Sequence, residues 1–145
     1  MKSIISKSIN ETEKFVKDWF YSINKNTEEA TLICLYGNLG SGKTTFTQSL
    51  AKELGVKEFV TSPTFVIEKI YETQNKDFKR LIHIDAYRLN GGKELQILGF
   101  EELINNTNNL IVIEWPENVI DILPENHIKI HCEFVNENSR KFDVQ

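Results

Sequence analysis

Residues 37–44, with the sequence GNLGSGKT, match the pattern GxxxxGK[ST] that binds nucleotide phosphates. The β- and γ-phosphates carry dense negative charge, so they require converging backbone N–H groups, a helix N-terminus and a positive charge. The glycines let the loop curl towards the phosphates, and Lys43 supplies the positive charge. The Thr44 hydroxyl is the expected Mg²⁺ ligand, because Mg²⁺ usually takes few protein groups besides phosphates and water. A simple glycine-rich turn is the alternative, and the complete motif argues against it.

A nucleotide site of this type also needs a carboxylate at the end of a neighbouring apolar strand, to hold the magnesium or its water ligands. Glu114 follows the apolar run at 110–113, and Asp85 follows the run at 81–84. Both would emerge at the carboxyl ends of strands, where open α/β sheets bind ligands. Chemistry alone puts one carboxylate on the metal and the other on a water molecule without saying which. A solvated turn residue is the alternative for each.

Four further features have a functional or a structural explanation. Residues 62–64, Ser-Pro-Thr, lie between a helix and a strand, where P-loop proteins sense the γ-phosphate, although an ordinary turn explains them as well. Trp115 can stack on a nucleotide, on a substrate or on the core. His83 alternates with apolar neighbours and is expected to be a hydrogen-bonded strand histidine. Arg88, near Asp85, is the best candidate for an arginine that stabilises charge within the chain.

Apolar patterning places these residues on alternating strands and helices. Ser8 fits a helix N-cap with Glu11 as its capping-box partner, and the helix after Gly42 is expected to stop at Gly55. A further helical stretch is interrupted near Gly99. The predicted strands are 31–36, 65–71, 80–85, 110–113, 127–134 and 140–144, with 65–71 and 80–85 as a hairpin. The expected fold is α/β of the P-loop NTPase type, with helices flanking a central, mostly parallel sheet that also carries antiparallel strands.

The composition is that of an ordinary globular protein, with 40% hydrophobic and 26% charged residues in a chain of 145. This length fits one domain, so residues 1–145 are predicted to form a single P-loop domain. The 17 Lys and Arg against 21 Asp and Glu give a net charge of −4, which offers no overall footprint for nucleic-acid phosphates. Cys34 and Cys132 are expected to be buried, reduced thiols. Neither a signal peptide nor a membrane span is predicted, and the expected location is the cytoplasm.

Four segments together resemble the TsaE family, the bacterial P-loop ATPases of tRNA threonylcarbamoyladenosine biosynthesis, formerly called YjeE. They are GNLGSGKTT at 37–45, TSPTF at 61–65, HIDAYRL at 83–89 and IEWPE at 113–117. The resemblance covers essentially the whole chain in order and spacing, and HxDxYR and EWP discriminate far better than the P-loop. It implies a Mg²⁺-dependent ATPase that hydrolyses ATP slowly and associates with the proteins TsaD and TsaB. It also implies contact with tRNA only through that complex.

The resemblance assigns roles to individual residues as well. Lys43, Asp85 and Glu114 are the implied catalytic residues, and Thr44 and Glu114 the implied Mg²⁺ ligands. The implied ATP-binding residues are Asn38, Leu39, Gly40, Ser41, Gly42, Lys43, Thr44 and Thr45 in the loop, with Thr12, Glu117 and Arg140 near the nucleoside. The implied switch or partner-contact residues are Ser62, Pro63, Thr64, Tyr87, Arg88 and Trp115.

One position departs from the family pattern. The family's loop commonly reads Gly-Asp-Leu-Gly, and this chain has Asn38 at the second position. The change keeps a short polar side chain but removes a negative charge beside the phosphates. It leaves the motif intact and takes that carboxylate out of any role in activating water.

Other classes of P-loop protein fit less well. A small-molecule kinase would need a second substrate pocket and usually an arginine-bearing lid, for which 145 residues with three arginines leave little room. A GTPase would normally carry an Asn-Lys-x-Asp segment, and the sequence contains none. A nucleotide-dependent interaction module with no meaningful turnover remains open, because sequence does not separate it from a slow enzyme.

Overall fold

The computed structural model describes residues 2–145, which form seven strands and a set of short helices. The strands are β1 (Lys2–Ser6), β2 (Thr31–Tyr36), β3 (Glu68–Glu72), β4 (Arg80–Asp85), β5 (Asn109–Glu114), β6 (Ile128–Asn136) and β7 (Ser139–Val144). The helices are α1 (Ile9–Phe20), α2 (Lys43–Glu53), α3 (Lys93–Ile97) and α4 (Phe100–Ile104), followed by a 3₁₀ helix (Pro116–Ile122).

All seven strands belong to one mixed sheet with the order β1-β7-β6-β2-β5-β4-β3. The central strands β6, β2, β5 and β4 run parallel to one another. At the edges, β3 pairs antiparallel with β4, and β7 pairs antiparallel with both β6 and β1. The predicted fold class is therefore confirmed, as is the predicted hairpin. The arrangement brings the carboxyl ends of β2, β4 and β5 to one edge of the sheet.

Strands β2, β4 and β5 are buried along almost their whole length because both faces of the sheet are covered there. Alternate residues of β2 point to opposite cores. Ile33 and Leu35 pack with α1 and α2, in a cluster that contains the fully buried Phe46. Leu32 and Cys34 pack with α3, α4 and the 3₁₀ helix. Burying a side chain such as Phe46 stabilises the fold by about 1.5–3 kcal/mol, so the two cores hold β2, and the loop that follows it, firmly in place.

At two strands the structure differs from the prediction. The strand expected at 65–71 begins only at Glu68, because Ile67 has a φ of 70° and the residues before it form a turn. A β-branched residue with positive φ cannot continue a strand. Strand β1 was not predicted, since it is a short edge strand with one buried residue, Ser6, and its main support is pairing with β7. The first difference comes from a backbone turn and the second from strand pairing, and side-chain patterning reports neither.

The Ser8 N-cap and the buried cysteines are confirmed, whereas Glu11 bonds to the Lys7 N–H and not to the Ser8 N–H of a capping box. The Ser8 hydroxyl accepts a hydrogen bond of 3.1 Å from the Glu11 N–H and so caps α1, while the Glu11 carboxylate accepts from the Lys7 N–H at 2.7 Å. Cys34 and Cys132 are both free and buried, and burial raises the pKa of each thiol to about 12. None of the helices within residues 2–145 has the length and apolarity needed to cross a membrane.

Candidate nucleotide site

The P-loop connects β2 to α2 at the carboxyl end of a central parallel strand. Its three glycines have positive φ, with 148° at Gly37, 76° at Gly40 and 105° at Gly42, the N-cap of α2. A Cβ at Gly37 would collide with the backbone oxygen of Cys132 and lie 2.5 Å from Ser41 Oγ. The loop therefore needs glycine for its conformation and, at Gly37, for space.

Replacing Gly37 with alanine is expected to lower the free energy of unfolding by about 1–3 kcal/mol, because the clash is with backbone and the φ is unfavourable. Urea unfolding followed by circular dichroism measures the change. Gly91→Ala is the matched control, since a Cβ there would meet only Asp121 Oδ2 at 3.9 Å. Equal stability of the two variants would show that the loop tolerates a side chain at Gly37.

Lys43 lies at the first position of α2 with its side chain folded back over the loop. Its ammonium donates hydrogen bonds to the backbone oxygens of Gly37 and Asn38, the latter at 3.0 Å. It also lies 4.2 Å from the centre of the Trp115 ring, a distance suited to a cation–π contact. Burial lowers the pKa of Lys43, although the Glu114 carboxylate opposes that shift. Neutral carbonyls and an aromatic face therefore hold this cation where the motif requires it.

The two strand-end carboxylates face the same cleft. Asp85 and Glu114 are direct neighbours across the parallel β4–β5 pair. Glu114 is 3% exposed, and its Oε1 lies 3.5 Å from the hydroxyl of Thr44. The structure thus brings together the two residues that were implied as Mg²⁺ ligands, one from α2 and one from β5.

Asp85 is instead engaged by the segment at 62–64. Its Oδ2 accepts hydrogen bonds from the hydroxyls of Ser62 at 2.7 Å and Thr64 at 2.9 Å. Its Oδ1 accepts from the Tyr87 N–H at 2.9 Å. The backbone of the same segment closes a turn, in which the Ile67 N–H donates to Pro63 O at 2.7 Å. Asp85 therefore holds this loop beside Glu114, and no sequence pattern predicted that contact.

Aromatic side chains form one wall of the cleft. Trp115 adopts the left-handed conformation, with φ of 58° and ψ of 48°, directly after β5. The Tyr87 and Trp115 ring centres lie 5.1 Å apart. Arg88 is exposed, and its guanidinium lies 4.8 Å from the centre of the Phe65 ring. Arg88 therefore packs on the segment that follows Thr64, outside the cleft itself.

The cleft has a volume of about 390 Å³. Its lining residues are Leu39, Gly40, Ser41, Gly42, Lys43, Thr44, Thr45, Ser62, Thr64, Asp85, Tyr87, Glu114, Trp115 and Arg140. Arg140 stacks on Phe134, with 4.7 Å between the guanidinium carbon and the ring centre. Thr12 is buried in α1 and hydrogen-bonded to the Ser6 hydroxyl at 2.6 Å, and Glu117 is exposed on the 3₁₀ helix. Neither lines the cleft, so their contact with a nucleoside stays a prediction.

The sequence did not predict the contact between His83 and Glu114. His83 Nε2 lies 2.6 Å from Glu114 Oε2, and the histidine is fully buried. One ring nitrogen is hydrogen-bonded, as expected of a strand histidine, but Nδ1 is buried without a partner in the described chain. The available signal was spacing, because His83 and Asp85 lie two residues apart on one strand and therefore share a face.

Comparison with known proteins agrees with this geometry. The sequence profile described as "Threonylcarbamoyl adenosine biosynthesis protein TsaE" matches residues 6–142. The tRNA threonylcarbamoyladenosine biosynthesis protein TsaE of Treponema pallidum is 32% identical over 140 residues, 97% of each chain. The Streptomyces coelicolor protein of the same name is 40% identical over 103 residues, 70% of this chain and 68% of its own.

The fold comparison points the same way. The crystal structure of Bacillus subtilis YdiB superposes with a TM-score of 0.75 at 25% identity, covering 99% of this chain and 83% of YdiB. Profile, relatives and fold agree over nearly the whole sequence. The chain therefore belongs to the TsaE family, whose members serve tRNA threonylcarbamoyladenosine biosynthesis.

Proposed function

We propose that this chain binds ATP and hydrolyses it slowly as a subunit of the bacterial tRNA threonylcarbamoyladenosine machinery, acting with TsaD and TsaB. One observation carries the proposal: Lys43, Thr44 and Glu114 meet in a single cleft at the carboxyl edge of the parallel strands. Family membership gives the pathway, and the cleft supports the nucleotide chemistry. The threonylcarbamoyl transfer itself would belong to the partners.

The residues of the cleft fit a nucleotide that carries Mg²⁺. Ser41 Oγ is buried with no hydrogen-bond partner in the described chain. A Cβ placed on Gly40 would meet no other atom within 4 Å, so there is space beside the loop for a ligand. Among residues 2–145, His, Cys, Asp and Glu side chains form no group of three that could hold a metal ion. A cation held by Thr44 and Glu114 would therefore need phosphate oxygens and water to complete its coordination, which is how Mg²⁺ is usually bound.

Thr44 and Glu114 would hold a Mg²⁺ ion, whose positive charge would offset the negative charge of the phosphates. The protein's own contribution begins with Lys43, which now donates to two neutral carbonyls. A phosphate oxygen is a stronger acceptor for the ammonium than a neutral carbonyl, because opposite full charges attract each other. Lys43 and the loop amides would thus bind the phosphates, while Thr44 and Glu114 orient the metal.

Asp85 supports the slow turnover in this proposal. Its two oxygens accept three hydrogen bonds, of which two come from the hydroxyls of Ser62 and Thr64. An acceptor that is already occupied is a poor base for a water molecule. Release of residues 62–64 from Asp85 would free the carboxylate and move a loop at the mouth of the cleft, so this contact supports a switch-like role for the segment.

A second candidate function is a nucleotide-dependent interaction module with no meaningful turnover. Large apolar side chains stand exposed near the cleft, with Leu39 70%, Phe65 86% and Val66 66% accessible. Such residues suit a partner surface. In this alternative, nucleotide binding would only change the presentation of residues 62–66, with Tyr87, Arg88 and Trp115 nearby.

We expect this chain to be captured by a TsaD–TsaB complex, with capture that depends on ATP, and to support formation of modified tRNA in a reconstituted mixture. Pull-down with and without ATP, followed by nucleoside analysis of the tRNA, measures both. ATP should also outcompete GTP for the cleft. Absence of association under either condition would reject the proposed partners while leaving the nucleotide site intact.

The same mixture separates the two candidate functions. Glu114→Gln should still be captured with ATP but should not sustain repeated tRNA modification if hydrolysis is required. Modification at the wild-type rate by a variant that binds ATP without hydrolysing it would favour the interaction module. Glu102→Gln, an exposed change on α4, is the control for the loss of a glutamate charge.

A further inference from the structure

The short contact between His83 and Glu114 lies entirely inside the protein. His83 Nε2 and Glu114 Oε2 are 2.6 Å apart, and the two residues are 0% and 3% exposed. The histidine sits on β4, two residues before Asp85, which pairs with Glu114 across the strands. His83 is thus a diagonal neighbour of Glu114, close enough for its ring to reach the carboxylate.

The unpaired nitrogen of His83 identifies where its proton lies. Nδ1 is buried and has no hydrogen-bond partner among the described residues. A proton on Nδ1 would leave a buried donor unsatisfied, which is rarer and costlier in proteins than an under-used acceptor. A lone pair on Nε2 would face the carboxylate oxygen and repel it. The remaining arrangement is the neutral ring with its proton on Nε2, donated to Glu114 Oε2.

The hydrogen bond from His83 determines which oxygen of the Glu114 carboxylate remains free for a ligand. The other hydrogen-bond contacts of the Glu114 carboxylate in the described chain are the hydroxyls of Thr44, 3.5 Å from Oε1, and Ser62, 3.5 Å from Oε2. Both distances lie at the limit of a hydrogen bond. His83 therefore makes the one short contact that fixes the side chain of Glu114, and it leaves Oε1 directed towards Thr44.

We propose that His83 is a positioning residue: its Nε2–H holds Oε2 of Glu114 and so aims Oε1, together with the Thr44 hydroxyl, at the place of the Mg²⁺ ion. This inference rests on the proposed function, in which Thr44 and Glu114 are the metal ligands. Groups that orient a metal ligand typically contribute 10–100-fold to metal affinity or activity. The site would then be organised before the nucleotide arrives.

The test compares His83→Gln with His83→Leu. Glutamine retains an N–H donor able to reach the carboxylate, whereas leucine fills the space without one. Calorimetry with a non-hydrolysable ATP analogue, in Mg²⁺ and in EDTA, gives the part of the affinity that depends on the metal. We expect His83→Leu to bind the ATP analogue about 10–100-fold more weakly than wild type in Mg²⁺ and with nearly wild-type affinity in EDTA. His83→Gln should recover most of that loss, and His131→Leu, at a partly exposed histidine on β6, should match wild type.

A second measurement needs neither nucleotide nor metal. Long-range ¹H–¹⁵N spectra of the wild-type protein should show His83 as the neutral tautomer protonated on Nε2, and Glu114→Ala should shift that signal. A proton on Nδ1, a His83→Leu variant with unchanged affinity in Mg²⁺, or a folded His83→Gln variant no better than His83→Leu would each overturn the proposal. A wild-type protein whose affinity ignores Mg²⁺ would instead refute the metal site, while the spectrum still reports on the pair. If His83→Leu fails to fold, His83→Gln and the spectrum decide.

Discussion

Lys43→Ala is expected to weaken ATP binding by about 100-fold or more, the largest effect of any single change in the loop. Lys43 is 5% exposed, and its ammonium is held by two loop carbonyls beside the Trp115 ring. Removing a buried partner of a charged group typically costs about 2–5 kcal/mol of binding free energy, and each 1.4 kcal/mol is tenfold. Titration calorimetry in EDTA measures the loss without the contribution of a metal.

Lys52→Ala is the matched control for this experiment. Lys52 lies on the same helix, with a side chain 67% exposed and 3.1 Å from a Glu13 carboxylate oxygen. A surface ion pair of this kind is worth little, so its loss should leave ATP affinity and stability nearly unchanged. Thermal unfolding of both variants separates lost binding from lost fold. ATP affinity unaltered by Lys43→Ala would refute the assignment of this loop as the phosphate site.

Sequence patterning predicted the frame of the cleft well. The bounds of β2 and β4 agree with the expected runs at 31–36 and 80–85 because these strands are buried on both faces and therefore largely apolar. The glycines of the P-loop mark its backbone directly, since their φ angles require glycine. In the buried strands and in the P-loop, the local sequence pattern and the folded environment require the same residue types.

The contacts inside the cleft were less predictable. Ser62 and Thr64 bond to a carboxylate more than 20 positions away, on a loop whose turn depends on the positive φ of Ile67. His83 meets Glu114 only because β4 and β5 are parallel neighbours in one register. Strand pairing and register are properties of the whole sheet, so the sequence around a single residue does not predict them. Patterning thus located both carboxylates but did not reveal the side chains that hold them.

The different partners of the two carboxylates give them different expected roles. Asp85 accepts three hydrogen bonds, two from Ser62 and Thr64 of the loop at 62–64 and one from the Tyr87 N–H. Glu114 has one short contact, to His83, and an oxygen directed to Thr44. A metal ligand needs free lone pairs in the cleft, and Glu114 Oε1, whose one polar contact in the described chain is the 3.5 Å approach to Thr44, is freer than either oxygen of Asp85. Asp85→Asn should therefore weaken the attachment of the loop at 62–64 more than it weakens metal binding.

Glu114→Ala is accordingly expected to reduce Mg²⁺-dependent ATP hydrolysis by about 100-fold or more. Loss of a residue that merely orients a metal ligand costs 10–100-fold, so loss of the ligand should reach at least the upper end. Affinity for ATP in EDTA should change little, because Lys43 and the loop amides remain. Phosphate release as a function of Mg²⁺ concentration measures the effect, with Glu102→Gln as the exposed control.

Asp85→Asn, measured beside Glu114→Ala, makes the outcome decisive. If Glu114 is the ligand, Asp85→Asn keeps a normal Mg²⁺ requirement, and a change in its rate reflects the freed loop at 62–64. If hydrolysis and its metal dependence survive in Glu114→Ala but fail in Asp85→Asn, the assignments reverse. Asp85 would then have to release Ser62 and Thr64 before it could bind a metal, and the short His83–Glu114 contact would serve the buried core alone.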